Sequence, residues 1–94
     1  MPRPRKACRC RRHEGDRVFK PRSVPMSELE TVRLELRELE AMRLCDADGF
    51  DQEAAGVRMH VSRGTVQRLL KSGRAKVLRA VLHSHALLIE ENDG

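Results

Sequence analysis

Tryptophan and tyrosine are missing from this chain of 94 residues, and Phe19 and Phe50 are its only aromatics apart from four histidines. That scarcity removes the flat platforms on which single-stranded bases stack, which disfavours RNA as a partner. It also leaves the core to Leu, Val, Ala and Met, residues that helices carry well, while strand signals are weak. No apolar run approaches the roughly 20 residues that span a bilayer. The basic N-terminus has no apolar stretch behind it. The expectation is therefore a cytoplasmic protein, with no membrane partner. Three cysteines are an odd number without a secretory signal, which argues against a disulfide framework. No nucleophile elbow, phosphate loop or acid–base pair is visible, so the chain reads as a non-enzyme that needs no cofactor.

What is present is charge, and its order matters more than its sum of +5. Residues 1–22 hold nine Lys/Arg against two acids, residues 23–56 three against nine, and residues 57–89 seven against none. The last five residues add three acids. Two basic blocks around an acidic one suggest a surface offered to a polyanion.

The chain divides into a Pro/Arg-rich arm (1–25), a helical domain (26–90) and an acidic tail (91–94). Ser27 with Glu30 forms the S-x-x-E capping signature, predicting a short helix from near Glu28 to Leu34. Leu36, Leu39, Met42 and Cys45 then recur every three residues, giving a second helix that Gly49 terminates. Asp51 is placed to cap a third helix, Gln52 to about Arg58, with Ala55 and Met59 inward. Ser62 caps a last helix of about twenty residues. Its apolar positions are Val66, Leu69, Leu70, Val77, Leu78, Val81 and Leu82, and Gly73 marks a bend or a close helix contact. Ala86 to Ile89 fits a helical turn, a strand or an oligomer contact equally well. The expected fold is all-α: a small helix-turn-helix domain, its motif at about 51–71, behind an extended basic arm.

Small residues Ala55 and Gly56 sit where one helix must cross the next, and His60 and Val61 form the turn. The capped helix after it turns Arg63, Gly64, Gln67, Arg68 and Lys71 outward. Arg can donate two bonds to guanine and Gln can pair bidentately with adenine, which is the chemistry of major-groove reading. Gly64 lets the helix start come close to DNA. Gln52, Ser62, Thr65, the first amides of the helix, and Lys71 or Arg74 are suited to phosphates. His60 stands where glycine is common, and histidine tolerates the left-handed backbone such a turn needs.

Six segments together carry a more specific resemblance: "MPRPRK" at the start, "VFKP" at Val18–Pro21, "ELEAMRL" at Glu38–Leu44, "QEAA" at Gln52–Ala55, "VSRGTVQRLL" at Val61–Leu70 and "ALLIE" at Ala86–Glu90. With them the chain is similar, over nearly its whole length, to a small prokaryotic family of uncharacterised, predicted DNA-binding proteins, domain of unknown function 134. That family usually has "MGVS" where this chain has "MHVS". The second half also resembles region four of sigma factors. The resemblance implies that Arg63, Gly64, Gln67 and Arg68 are recognition positions, with Gln52 at the start of the supporting helix.

In the arm, Arg3, Arg5 and Lys6 alternate with prolines and are spaced to follow phosphates or enter a minor groove. Cys8, Cys10 and His13 supply three soft ligands where structural zinc takes four, so no metal is assigned and they stand only as weak candidates. Cys45 has the helical phase of a core thiol. The leading expectation is a transcriptional regulator that binds specific double-stranded DNA at the nucleoid, as a monomer or as a homodimer or higher homo-oligomer. A metal- or thiol-responsive regulator using Cys8 and Cys10, and a basic protein-interaction module, are the alternatives.

Overall fold

The computed structural model describes residues 17–90. Its elements are strand β1 (Arg17–Phe19), a 3-10 turn (Met26–Glu28), strand β2 (Thr31–Leu34), helix α1 (Leu36–Met42) continued by a π-helical segment (Arg43–Ala47), helix α2 (Gln52–Met59), helix α3 (Arg63–His83) and strand β3 (Ala86–Ile89). The all-α expectation is overturned by a three-stranded mixed sheet of order β1-β3-β2. β3 is central, antiparallel to β1 with Val18 opposite Leu88, and parallel to β2 with Val32 opposite Leu87.

Each departure has a local cause. The short helix foreseen behind Ser27 is absent: Met26–Glu28 makes a single 3-10 turn whose N-cap is Pro25, without a side-chain cap. Thr31 and Val32 are β-branched and prefer the pleated backbone, and β3 supplies the ladder they need. Ala86–Ile89 is apolar at every position because it lies between two strands, with Ala86 and Ile89 buried. Arg17–Phe19, read as part of the extended arm, forms the outer strand.

Two apolar clusters result. The larger joins α1, α2 and the first half of α3 through Ala41, Leu44, Ala55, Met59, Val66, Leu69 and Leu70, with Cys45 and Phe50 packed against it. The smaller holds the sheet to α3 through Leu34, Leu36 and Ile89, with Leu39, Val77 and Leu87 beside them. Gly73 marks a close helix contact: a Cβ there would lie 2.8 Å from Met42 Sδ and 3.1 Å from Glu38 Cβ. Leu78, Val81 and Leu82, expected on the inner face of α3, are 56, 70 and 67% exposed. Beyond Gly73 only the face carrying Val77 and Ala80 is covered.

Candidate functional site

The geometry around residues 51–71 is built from local signals. Asp51 has extended backbone, and its Oδ1 accepts the Ala54 N–H at 2.8 Å, starting α2. α2 ends at His60, which adopts the left-handed region at φ 62°, ψ 40°. The Val61 N–H then donates to Gly56 O at 2.9 Å. A Cβ at Gly56 would lie only 2.7 Å from Val61 O, so the small residue permits the reversal. Val61 packs against the larger cluster. Ser62 Oγ accepts the Thr65 N–H at 3.1 Å and lies 3.0 Å from Thr65 Oγ1, capping α3.

Arg63, Gln67, Arg68 and Lys71 are exposed, while Gly64, Thr65 and Gln52 are half-buried. Gly64, Gln67 and Lys71, three and four residues apart, share one face of α3. Arg68 Nη2 donates to Thr65 Oγ1 at 3.2 Å, which draws the guanidinium toward the capped end. Among the described residues, no carboxylate forms an ion pair with Arg63, Arg68 or Lys71. No neighbour within the chain demands glycine at 64, where a Cβ would meet Arg68 Nη1 at 3.7 Å, an ordinary contact.

The cations further along α3 are committed. Arg74 donates to both carboxylate oxygens of Asp46, at 3.1 and 2.7 Å. Lys76 Nζ donates to Glu38 Oε1 at 2.8 Å and Ser72 Oγ to Glu38 Oε2 at 2.6 Å. The Glu35 N–H also donates to Glu38 Oε1, at 2.9 Å, at the start of α1. Burial works against the charge on Glu38, but the bonds from Lys76, Ser72 and Glu35 outweigh it and hold the carboxyl below its ordinary value. The Arg74 hydrogen bonds likewise lower Asp46. Burial, with Asp46 nearby, raises the Cys45 thiol, in keeping with a packed rather than reactive sulfur. On α2, the Arg58 guanidinium lies 4.2 Å from the centroid of the Phe50 ring.

Sequence reading missed the partners of Arg74 and Lys76. The signal was available in the acidic block preceding the basic one, since Glu38 and Asp46 belong to the first and their partners to the second. Arg3, Arg5, Lys6, Cys8, Cys10 and His13 lie outside the described residues. Among the described residues no cluster of three His, Cys, Asp or Glu could hold a metal ion, and no helix is long and apolar enough to cross a membrane.

The fold and site define a small α/β module presenting a capped helix end with three unpaired cations. Residues 1–93 match the family described as protein of unknown function DUF134, and the chain belongs to that family. Among its relatives, a UPF0251 protein of Pelotomaculum thermopropionicum is 46% identical over 95% of this chain and 67% of its own length. One of Moorella thermoacetica is 47% identical over 96% of this chain and 60% of its own length. One of Vibrio cholerae serotype O1 is 42% identical over all of this chain and 96% of its own length. The chain thus spans about two thirds of some curated relatives and nearly all of others. No solved structure matches it at a significant level.

Proposed function

We propose that the protein binds double-stranded DNA in a sequence-specific manner and regulates transcription, with α2, the turn at His60–Val61 and α3 acting as a helix-turn-helix. The reading is carried by the exposure of Arg63, Gln67, Arg68 and Lys71 behind the Ser62 cap, while neighbouring cations are neutralised internally. Arg63, Gln67 and Arg68 read base edges. Lys71, Gln52 and the Ser62 and Thr65 hydroxyls contact phosphates, and the open space at Gly64 admits the duplex. The similarity of the second half to sigma-factor region four supports the same assignment. Arg3, Arg5 and Lys6 add sequence-independent affinity. In this role the protein works at the nucleoid.

The test is titration of labelled duplex and single-stranded DNA, followed by selection of preferred sites from random duplex. Duplex affinity should fall steeply between about 50 and 200 mM salt. Arg63→Ala, Gln67→Ala and Arg68→Ala should each cost about 1 to 3 kcal/mol on the selected site and less on random DNA. Absence of duplex binding at low salt would refute the reading. Equal losses on both DNAs would reduce the face to a cationic surface without recognition.

A further inference from the structure

The second half of α3 leaves an apolar ridge uncovered. Leu78, Val81 and Leu82 fall on one side of the helix at 56, 70 and 67% exposure, and Phe19 on β1 is 57% exposed. Between β1 and α3 runs a groove of about 300 Å³ whose walls include Phe19, Val77, Val81 and Leu87. Phe19 and Leu87 are directly opposed across the sheet, so one apolar floor meets one apolar ridge.

We propose that this face joins two copies of the chain in a symmetric dimer, the Leu78–Leu82 ridge of each seated against the groove of the other. A twofold contact needs the same patch on both partners to be self-complementary, and a ridge beside a groove meets that need. The four side chains expose on the order of 500 Å², a large apolar patch for a monomer and most of the roughly 800 Å² a protomer contributes to a standard interface.

Charge favours a second copy over an acidic partner. Arg74 is held by Asp46 and Lys76 by Glu38, both beside this stretch, so two ridges meet without opposing bare charges. Lys20, at the groove, already donates to Val24 O at 2.6 Å. What remains is apolar surface without the cationic frame that would select a carboxylate-rich helix. β3, by contrast, is spent inside the sheet and offers no contact. Leu82 lies fifteen residues beyond Gln67, about 22 Å along the helix, so dimerisation leaves the Ser62 end open. The inference stands independently of DNA binding.

Sedimentation equilibrium of the full chain, without DNA, between about 1 and 200 μM covers the range expected for an interface of this size. The wild type should approach twice the monomer mass. Val81→Lys should weaken association by at least about tenfold, because it buries an unpaired charge. Val57→Lys, at a position 71% exposed on α2, should leave the mass unchanged. Leu82→Lys repeats the test should Val81→Lys lose its helical circular dichroism. A wild type that stays monomeric throughout, or a Val57→Lys variant as disruptive as Val81→Lys, would overturn the proposal.

Discussion

Glu38 sits only 3% exposed beneath α3 and keeps its charge because three donors converge on it. A carboxylate held below its ordinary value of 4.5 binds fewer protons folded than unfolded. Its contribution to stability is therefore complete above that pH and is lost as pH falls through the lowered folded value. Urea unfolding from pH 7 down to about 3 should show this loss, and Glu38→Gln should flatten that part of the profile. At neutral pH the variant should be less stable by about 1 to 3 kcal/mol, since Lys76 loses its partner in a half-buried setting. Gly73 faces α1 at the same crossing. Gly73→Ala would gain about 1 kcal/mol of helix propensity. Its methyl must nevertheless displace Met42 and the Glu38 Cβ, and the net effect should be a destabilisation of about 1 to 2 kcal/mol, read from the shift in thermal midpoint. His60 carries strain of another kind. A side chain at φ 62° is disfavoured by roughly 1 kcal/mol, so His60→Gly should raise the melting temperature while leaving duplex preference unaltered.

At the scale of elements, what could be read ahead of the fold was what neighbours in sequence decide. Asp51 and Ser62 act on amides three residues away, Gly49 takes φ 83°, and α3 ends within a few residues of its predicted length. The sheet escaped because its strands are three or four residues long and stabilise one another across the whole domain, Arg17 against Ile89. A capping signature at Ser27 could not outweigh that pairing, and nothing near Ala86 announces that strands will flank it on both sides. Leu78, Val81 and Leu82 have the periodicity of a core face, yet periodicity does not say what covers it. The recognition positions on α3 were legible because side-chain orientation follows from the cap and the 3.6-residue period. Which cations are free was not, because Asp46 and Glu38 reach α3 through tertiary packing. The dependence on β3 is testable: Leu88→Pro removes a ladder donor from the central strand and should cost at least about 2 kcal/mol. Amide exchange should then rise together in Arg17–Phe19 and Thr31–Leu34.

Across the whole molecule, the acidic middle block and the basic third block are partners for part of their length, and the pairing divides α3. Its C-terminal cations Arg74 and Lys76 are bound to Asp46 and Glu38, whereas Arg63, Arg68 and Lys71 face outward without carboxylates among the described residues. The folded charge pattern is thus more focused than the sequence blocks suggest. Removing one acid should then widen the positive surface. Asp46→Asn frees Arg74, which lies seven residues beyond Gln67 and so nearly in line with it along α3. The pair is solvent-exposed, its side chains 54 and 41% accessible, so unfolding free energy should move by no more than about 1 kcal/mol. DNA binding should respond more. An additional phosphate contact steepens the slope of log K against log salt by up to about 0.9, so Asp46→Asn should bind random duplex more tightly at low salt than the wild type. Arg74→Ala combined with Asp46→Asn should restore the original slope. An unchanged slope in Asp46→Asn alone would mean that Arg74 does not reach the duplex backbone and that the phosphate-contacting stretch of α3 ends at Lys71.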